Sequence, residues 1–348
     1  MRPSSCVLRW LLGICLGFTI TPSWTRATAH TYLLLTEIAI GGDGGWDYLS
    51  IESASHRLYV THGTKVVVID TLTDRVVGEI SDTPGVHGFA LAPELGRGFA
   101  SNGRENKASI VDLKTLQTIA KVETGQNPDA ILYEPGRREV YTFDGRGQTA
   151  TIFEGATGRI VATVPLGGKP EFAQADPSAN RVYVSIEDRN EIIAIDAAAH
   201  RIVNRWPIAP GVAGTGLAID LDHHRLFLGC RNGKVIVMDA TNGRVVASYE
   251  GGEGIDAAAF DPGTQLVMDS AGGSGTVTIR HEDTPEDYSP VQTLATAPGA
   301  RTLVLDPETH RIYLATARFE PAATSPAVTR ARPVPIPGSF KVLVYGLK

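Results

Sequence analysis

Seven residues with usable chemistry recur at matching points along the chain: Asp47, His87, Asp129, Glu171, Thr215, Asp256 and Arg301. Four are acids. Carboxylates grouped with an imidazole suit a divalent metal ion, the one cofactor these residues would take. The same acids would also accept hydrogen bonds from a polyhydroxy ligand. Alternatively they cap strand ends or pair with nearby arginines, because no tight ligand spacing ties them together. A second set is basic: Arg104, Arg146, Arg189 and Arg231, preceded by Lys65. Guanidinium groups grip carboxylates or phosphates bidentately. Mutual pairing with Asp129, Glu171, Glu187 and Asp188 is the competing fate of these arginines.

Other chemistry-bearing residues read as ordinary structure. His56, His200, His223, His224 and His310 fall in turns, where solvated side chains are expected. Cys230 ends an apolar run and is expected to act as a small hydrophobe. The glycine runs Gly251-Gly252 and Gly272 to Gly275 lack the Lys-Ser/Thr and following helix of a phosphate-binding loop. No nucleophile elbow, metalloprotease helix motif, Cys-x-x-Cys or haem-attachment sequence occurs.

The elements that must position these residues repeat. An anchor run appears as Arg57-Leu58-Tyr59-Val60, Arg97-Gly98-Phe99-Ala100, Arg138-Glu139-Val140-Tyr141, Arg181-Val182-Tyr183-Val184, Arg225-Leu226-Phe227-Leu228, Gln265-Leu266-Val267-Met268 and Arg311-Ile312-Tyr313-Leu314. The spacings are 40, 41, 43, 44, 40 and 46 residues, the period of a four-stranded blade. Around each anchor the sequence alternates β-branched runs with turns such as Asp176-Pro177-Ser178-Ala179-Asn180 and Asp239-Ala240-Thr241-Asn242-Gly243, which signal hairpins. The expected fold is all-β: a seven-bladed β-propeller with inner strands near 48–52, 88–92, 129–133, 171–175, 216–220, 256–260 and 302–306. The last unit lacks a fourth strand and the segment from Tyr32 to Ile40 is spare, so the N-terminal strand should complete the last blade and remove an open edge. Tyr59, Phe99, Tyr141, Tyr183, Phe227 and Tyr313 should pack between neighbouring blades.

Arg57-Leu58-Tyr59-Val60-Thr61, Val66 to Asp70, Thr73 and Val76-Val77 resemble the repeat of the YVTN β-propeller family, which includes YncE-like proteins. His62 stands where the family motif has Asn. The resemblance covers nearly the whole chain and implies a secreted or periplasmic propeller. It implies little about activity.

Blade topology puts the loops between second and third strands on one face, called the upper one, together with the blade-to-blade connections. The seven recurring residues should therefore line the upper channel mouth, with the arginines around them. The segment from Phe319 to Ser339, rich in Pro, Ala and Arg, is an insertion (319–339) on the same face, readable as a lid or a partner-binding arm.

The first 29 residues read as a secretory signal: Arg2 and Arg9, an apolar run from Trp10 to Ile20, and Ala27-Thr28-Ala29 as a cleavage site. The mature domain would span 30–348, carry no transmembrane segment and be periplasmic or secreted. It would hold 29 basic and 38 acidic side chains, net −9, which disfavours nucleic acid. Only Cys230 would remain, so no internal disulfide could form. The expected function is a monomeric binding or interaction module, with a small-molecule or protein ligand on the upper face. The alternatives are a metal-dependent propeller hydrolase or lactonase and an accessory subunit of a periplasmic redox enzyme.

Overall fold

A computed structural model describes residues 31–320 and 334–348, with Met1. The expected leader, and residues 321–333 of the expected insertion, lie outside the described residues. Seven antiparallel four-stranded sheets follow one another along the chain as the blades of a β-propeller. Among the described residues, helix is limited to three short 3-10 turns. Among the described residues, no helix is long and apolar enough to cross a membrane.

The innermost strands are Trp46–Glu52, Val86–Ala92, Pro128–Glu134, Pro170–Asp176, Gly214–Asp220, Ile255–Asp261 and Leu303–Asp306, at the expected positions. The seventh blade is completed by the N-terminal strand Tyr32–Ala39, which pairs antiparallel with Lys341–Leu347 from Tyr32↔Leu347 to Ala39↔Lys341. Ring closure thus removes the edge that the final strand would present.

Register explains the repeat. The anchor residue faces the acid that ends the third strand: Arg57↔Asp70, Arg97↔Asp112, Arg181↔Asp196 and Arg225↔Asp239. That acid folds back on the next turn. Asp70 Oδ1 accepts the N–H groups of Leu72 and Thr73, and Asp112 Oδ1 those of Lys114 and Thr115. This local bonding is why Asp at that position starts a turn. The aromatic positions Tyr59, Phe99, Tyr141, Tyr183, Phe227 and Tyr313 are all buried. They pack across blade boundaries, as Tyr59 does on Phe89, with ring centroids 4.9 Å apart.

Candidate functional site at the upper channel mouth

The inner strands are irregular where they carry the recurring residues. In six blades the pairing with the second strand shifts register across positions 46–49, 86–89, 128–131, 170–173, 214–217 and 255–257. A bulge bends the strand and re-aims its side chains, and here it turns one residue per blade toward the mouth. Small hydroxyls hold this backbone. Thr61 Oγ1 accepts from Asp47 N–H and donates to the Tyr48 carbonyl. Ser101 donates to the Asp129 carbonyl at 2.5 Å, and Ser270 to the Arg301 carbonyl at 2.5 Å. Thr215 donates to the Ile255 carbonyl and Thr302 to the Asp47 carbonyl, both at 2.7 Å. Each of these last four bonds ties one blade to the next.

The mouth residues meet in two networks. In the first, His87 Nδ1 lies 2.7 Å from Asp47 Oδ2 and 3.4 Å from Asp129 Oδ1. Arg301 reaches Asp47 at 3.4 Å, Asp256 at 2.8 Å and the Trp46 carbonyl at 2.7 Å. In the second, Lys169 bridges Glu171 and Glu187 at 2.5 Å each, and Arg231 holds the other oxygen of Glu187. Thr215 contributes only backbone ties.

Burial and crowding set the protonation of this bowl. Burial works against a charged His87, but the Asp47 hydrogen bond and the Asp129 charge raise its pKa to about 9. Burial also opposes ionisation of Asp47, yet His87 and Arg301 hold it below the usual carboxylate range. Burial and the Asp47 charge raise Asp129 to about 6. Burial and the Asp129 charge raise Glu171 to about 8, against the pull of Lys169. Glu187 falls to about 2 despite its burial, through Lys169 and Arg231. Asp47, His87 and Asp129 present one ligand atom each within 4.8 Å of one another, so they are the mouth residues able to hold a metal ion.

The arginine ring does not form as expected. Arg231 alone joins the mouth network, and its partner is Glu187 rather than Asp129 or Glu171. Lys65 pairs with Glu79 at 2.7 Å, on its own blade. Arg189 donates to the Gly167 carbonyl, while Asp188 accepts the Lys169 N–H. Arg104 and Arg146 are exposed, and neither side chain has an ion-pair or hydrogen-bond partner among the described residues. They line a cleft of about 410 Å³ between the second and third blades, with Gly103, Asn106, Gln126 and Asn127. The cleft adjoins the mouth. A Cβ on Gly103 would lie 3.0 Å from His87 Nε2 and 3.2 Å from Asn127 Oδ1, and one on Gly145 would lie 3.5 Å from Asn127 Nδ2 and 3.8 Å from Asp129 Oδ2. A side chain at 103 would press on His87 and Asn127.

Two features were missed in the sequence reading. Tyr48 and Phe172 meet edge-to-face with centroids 5.0 Å apart, although they belong to the first and fourth blades. They lie one residue beyond Asp47 and Glu171, so the channel is obstructed beside the ring and the mouth is a cup. The other is Lys169, which neutralises Glu171 from two residues away; its basic charge beside an acid was the available signal. On the seventh-blade side, Phe319 and Phe340 pack on Trp46 at 6.0 and 5.3 Å, and His62 stacks on Phe340 at 4.1 Å. Phe319 also bridges to Pro335, which pins the root of the expected insertion beside the mouth.

The lower face departs from expectation. His200, His223, His224 and His310 are not merely solvated: each lies against a buried carboxylate, Glu139, Asp220, Asp176 and Asp261 respectively. His200 precedes the outer strand Arg201–Pro207. Cys230 is fully buried and its thiol is pushed up to about 12 by burial, as suits a packing residue.

No family model matches the sequence, and no curated protein matches it. The structure matches 1810 solved chains, so the fold by itself selects no function. One is the hydrazine synthase of Kuenenia stuttgartiensis, with TM-score 0.69 and 17% sequence identity, covering 82% of this chain and 96% of that one. The likeness shows the propeller fold.

Proposed function

We propose that this chain is an extracytoplasmic binding module of the YVTN-repeat type, and that its upper mouth takes a small ligand bearing a carboxylate or phosphate beside hydrogen-bond donors. The observation that carries the reading is the cleft of Arg104 and Arg146, two guanidinium groups without partners among the described residues, whose lining glycine Gly103 lies against His87. An anionic group would sit between the arginines, where forked donors match its geometry. Donors on the same molecule would reach Asp129, a mouth carboxylate that no lysine or arginine pairs with among the described residues. The rigid ring and the Tyr48–Phe172 floor fit recognition by a preformed site. A leader that directs export fits the YVTN-like repeat.

A metal-dependent hydrolase or lactonase would draw its ion to Asp47, His87 and Asp129. Arg301 and a protonated His87 already neutralise much of that charge, which favours the binding module. The accessory-subunit reading rests on the hydrazine synthase likeness, which at 17% identity extends to fold alone.

A thermal-shift screen with small carboxylates, sugar phosphates, amino acids and oligosaccharides tests the proposal. A compound with an anionic group should raise the melting temperature, and the Asp129→Asn/Glu171→Gln double variant should lose that response. Retention of every response by a folded double variant would place the functional surface elsewhere.

A further inference from the structure

The lower face carries a second cluster of ligating side chains, between the fifth and sixth blades. It arises from local departures in two neighbouring blades. Six of the seven inner strands end in an acid, the second ending at Ala92, and that acid accepts hydrogen bonds from the turn that follows. Asp261 and Asp306 give one oxygen to a backbone N–H and the other to a threonine hydroxyl three residues on, Thr264 at 2.8 Å and Thr309 at 2.6 Å. In the fifth blade that threonine is replaced by His223, whose Nδ1 lies 2.7 Å from Asp220 Oδ2.

The second departure is in the sixth blade. The Glu282 N–H donates to the Gln265 carbonyl, the bond that Thr71, Leu113, Ala197 and Ala240 make just after the capping acid of their blades, so His281, paired with Leu266, stands at the capping position. Here the hairpin runs on through Thr276–Thr284 and Asp287–Ala295. Asp283 accepts the Ser289 N–H across that hairpin. Lying one residue past the capping position, Glu282 points at the fifth blade, with Oε1 3.2 Å from His223 Nδ1.

The Glu282 side chain is 1% exposed and that of Asp220 3%. Glu282 Oε2 is buried without a hydrogen-bond partner, a costly state for a carboxylate oxygen. No lysine or arginine lies within ion-pair distance of either acid among the described residues. Arg225 is nearby, but its guanidinium donates to the carbonyls of Pro285, His223 and His224. The Tyr288 hydroxyl reaches Glu282 Oε1 only at 3.5 Å. Two buried carboxylates therefore face one imidazole, whereas the other lower-face histidines each face a single acid.

We propose that Asp220, His223 and Glu282 form a divalent transition-metal site joining the fifth and sixth blades. Their ligand atoms lie within 4.8 Å of one another. With metal–ligand bonds of about 2.1 Å, neighbouring ligands stand about 3.0 Å apart in an octahedron and about 3.4 Å apart in a tetrahedron, close to the 2.7 and 3.2 Å found here. One imidazole with two carboxylates suits Zn²⁺, Co²⁺ or Mn²⁺. The ion would cancel the charge of both acids and occupy the polar space that leaves Glu282 Oε2 unsatisfied. His223 is 42% exposed on its side chain, which provides a path in from solvent and leaves coordination positions for water. The site is independent of the ligand proposed at the upper mouth.

The test is Co²⁺ binding to chelator-treated, untagged protein, followed by visible absorption and by melting temperature. About one equivalent should bind here, giving a d–d band and a rise in melting temperature. His223→Thr introduces the threonine that the sixth and seventh blades carry at this point and should leave the fold intact. That variant and Glu282→Gln should each bind Co²⁺ at least ~100-fold more weakly, since even outer-shell partners are worth roughly 10–100-fold. Asp129→Asn, at the mouth, should leave the band and the melting shift in place. Unchanged Co²⁺ binding in both lower-face variants would overturn the assignment, as would an absence of binding, or loss of the band in Asp129→Asn alone.

Discussion

Tyr48 of the first blade and Phe172 of the fourth pack edge-to-face with ring centroids 5.0 Å apart. The contact spans blades three places apart in the ring, so it closes the channel and joins distant repeats. Tyr48 also packs against the cluster containing Ala130 and Ala173, and Phe172 against that containing Leu217. Tyr48→Ala should lower unfolding stability by about 3 kcal/mol, read from urea midpoints. Tyr48→Phe should change it by less than about 1 kcal/mol. An unchanged midpoint in Tyr48→Ala would show that the contact carries no stability.

Ring closure has its own test. Deleting 31–39 uncovers the hydrogen-bonding edge of Lys341–Leu347 and the apolar surface around Tyr32 and Ile38, both buried. The truncated chain should unfold over a broad range and associate, seen by circular dichroism and light scattering. A monodisperse truncated chain with the parent's sharp transition would rule this out.

Two blade-core tyrosines differ in a way that stability measurements will resolve. The Tyr183 hydroxyl donates to the Ala240 carbonyl at 3.0 Å, whereas the buried Tyr141 hydroxyl has no partner. Tyr183→Phe should cost about 1 kcal/mol, and Tyr141→Phe should be neutral or stabilising. The reverse order would contradict the packing described.

The mouth makes stability fall at alkaline pH. His87 is raised to about 9, so its contribution is complete below its ordinary value and is lost as pH rises through 9. Glu171, raised to about 8, binds its proton more tightly in the folded state, so stability also falls as pH climbs from its ordinary value through 8. Glu187 works oppositely, losing its contribution as pH falls toward 2. The urea midpoint should therefore decline between pH 6 and 9, and decline less in Glu171→Gln. Equal slopes in the two proteins would contradict the assigned burial of Glu171.

The blade period, the inner strands and ring closure were legible because each depends on local pattern: the anchor runs, the turn acids and a spare strand. The convergence of Asp47, His87, Asp129, Asp256 and Arg301 followed from equivalence within the repeat. Pairing choices did not, because they depend on side-chain reach between blades. Arg104 and Arg146 look like Arg231 in sequence, yet only Arg231 finds Glu187. His223 and Glu282 lie 59 residues apart and meet where a longer hairpin carries the third strand of the sixth blade on past His281. Tyr48 and Phe172 gave no sign of meeting, since nothing local marks two aromatic residues that close a ring.

The central claim is that recognition occurs at the upper mouth. Calorimetric titration of the strongest anionic compound from the screen tests it most directly, comparing the Arg104→Ala/Arg146→Ala double variant with the His223→Thr/Glu282→Gln double variant. The account predicts that the upper-face variant loses binding, by roughly 2 kcal/mol or more for two charge-assisted contacts, while the lower-face variant binds as the parent does. Full binding by the upper-face variant, with loss in the lower-face one, would contradict it.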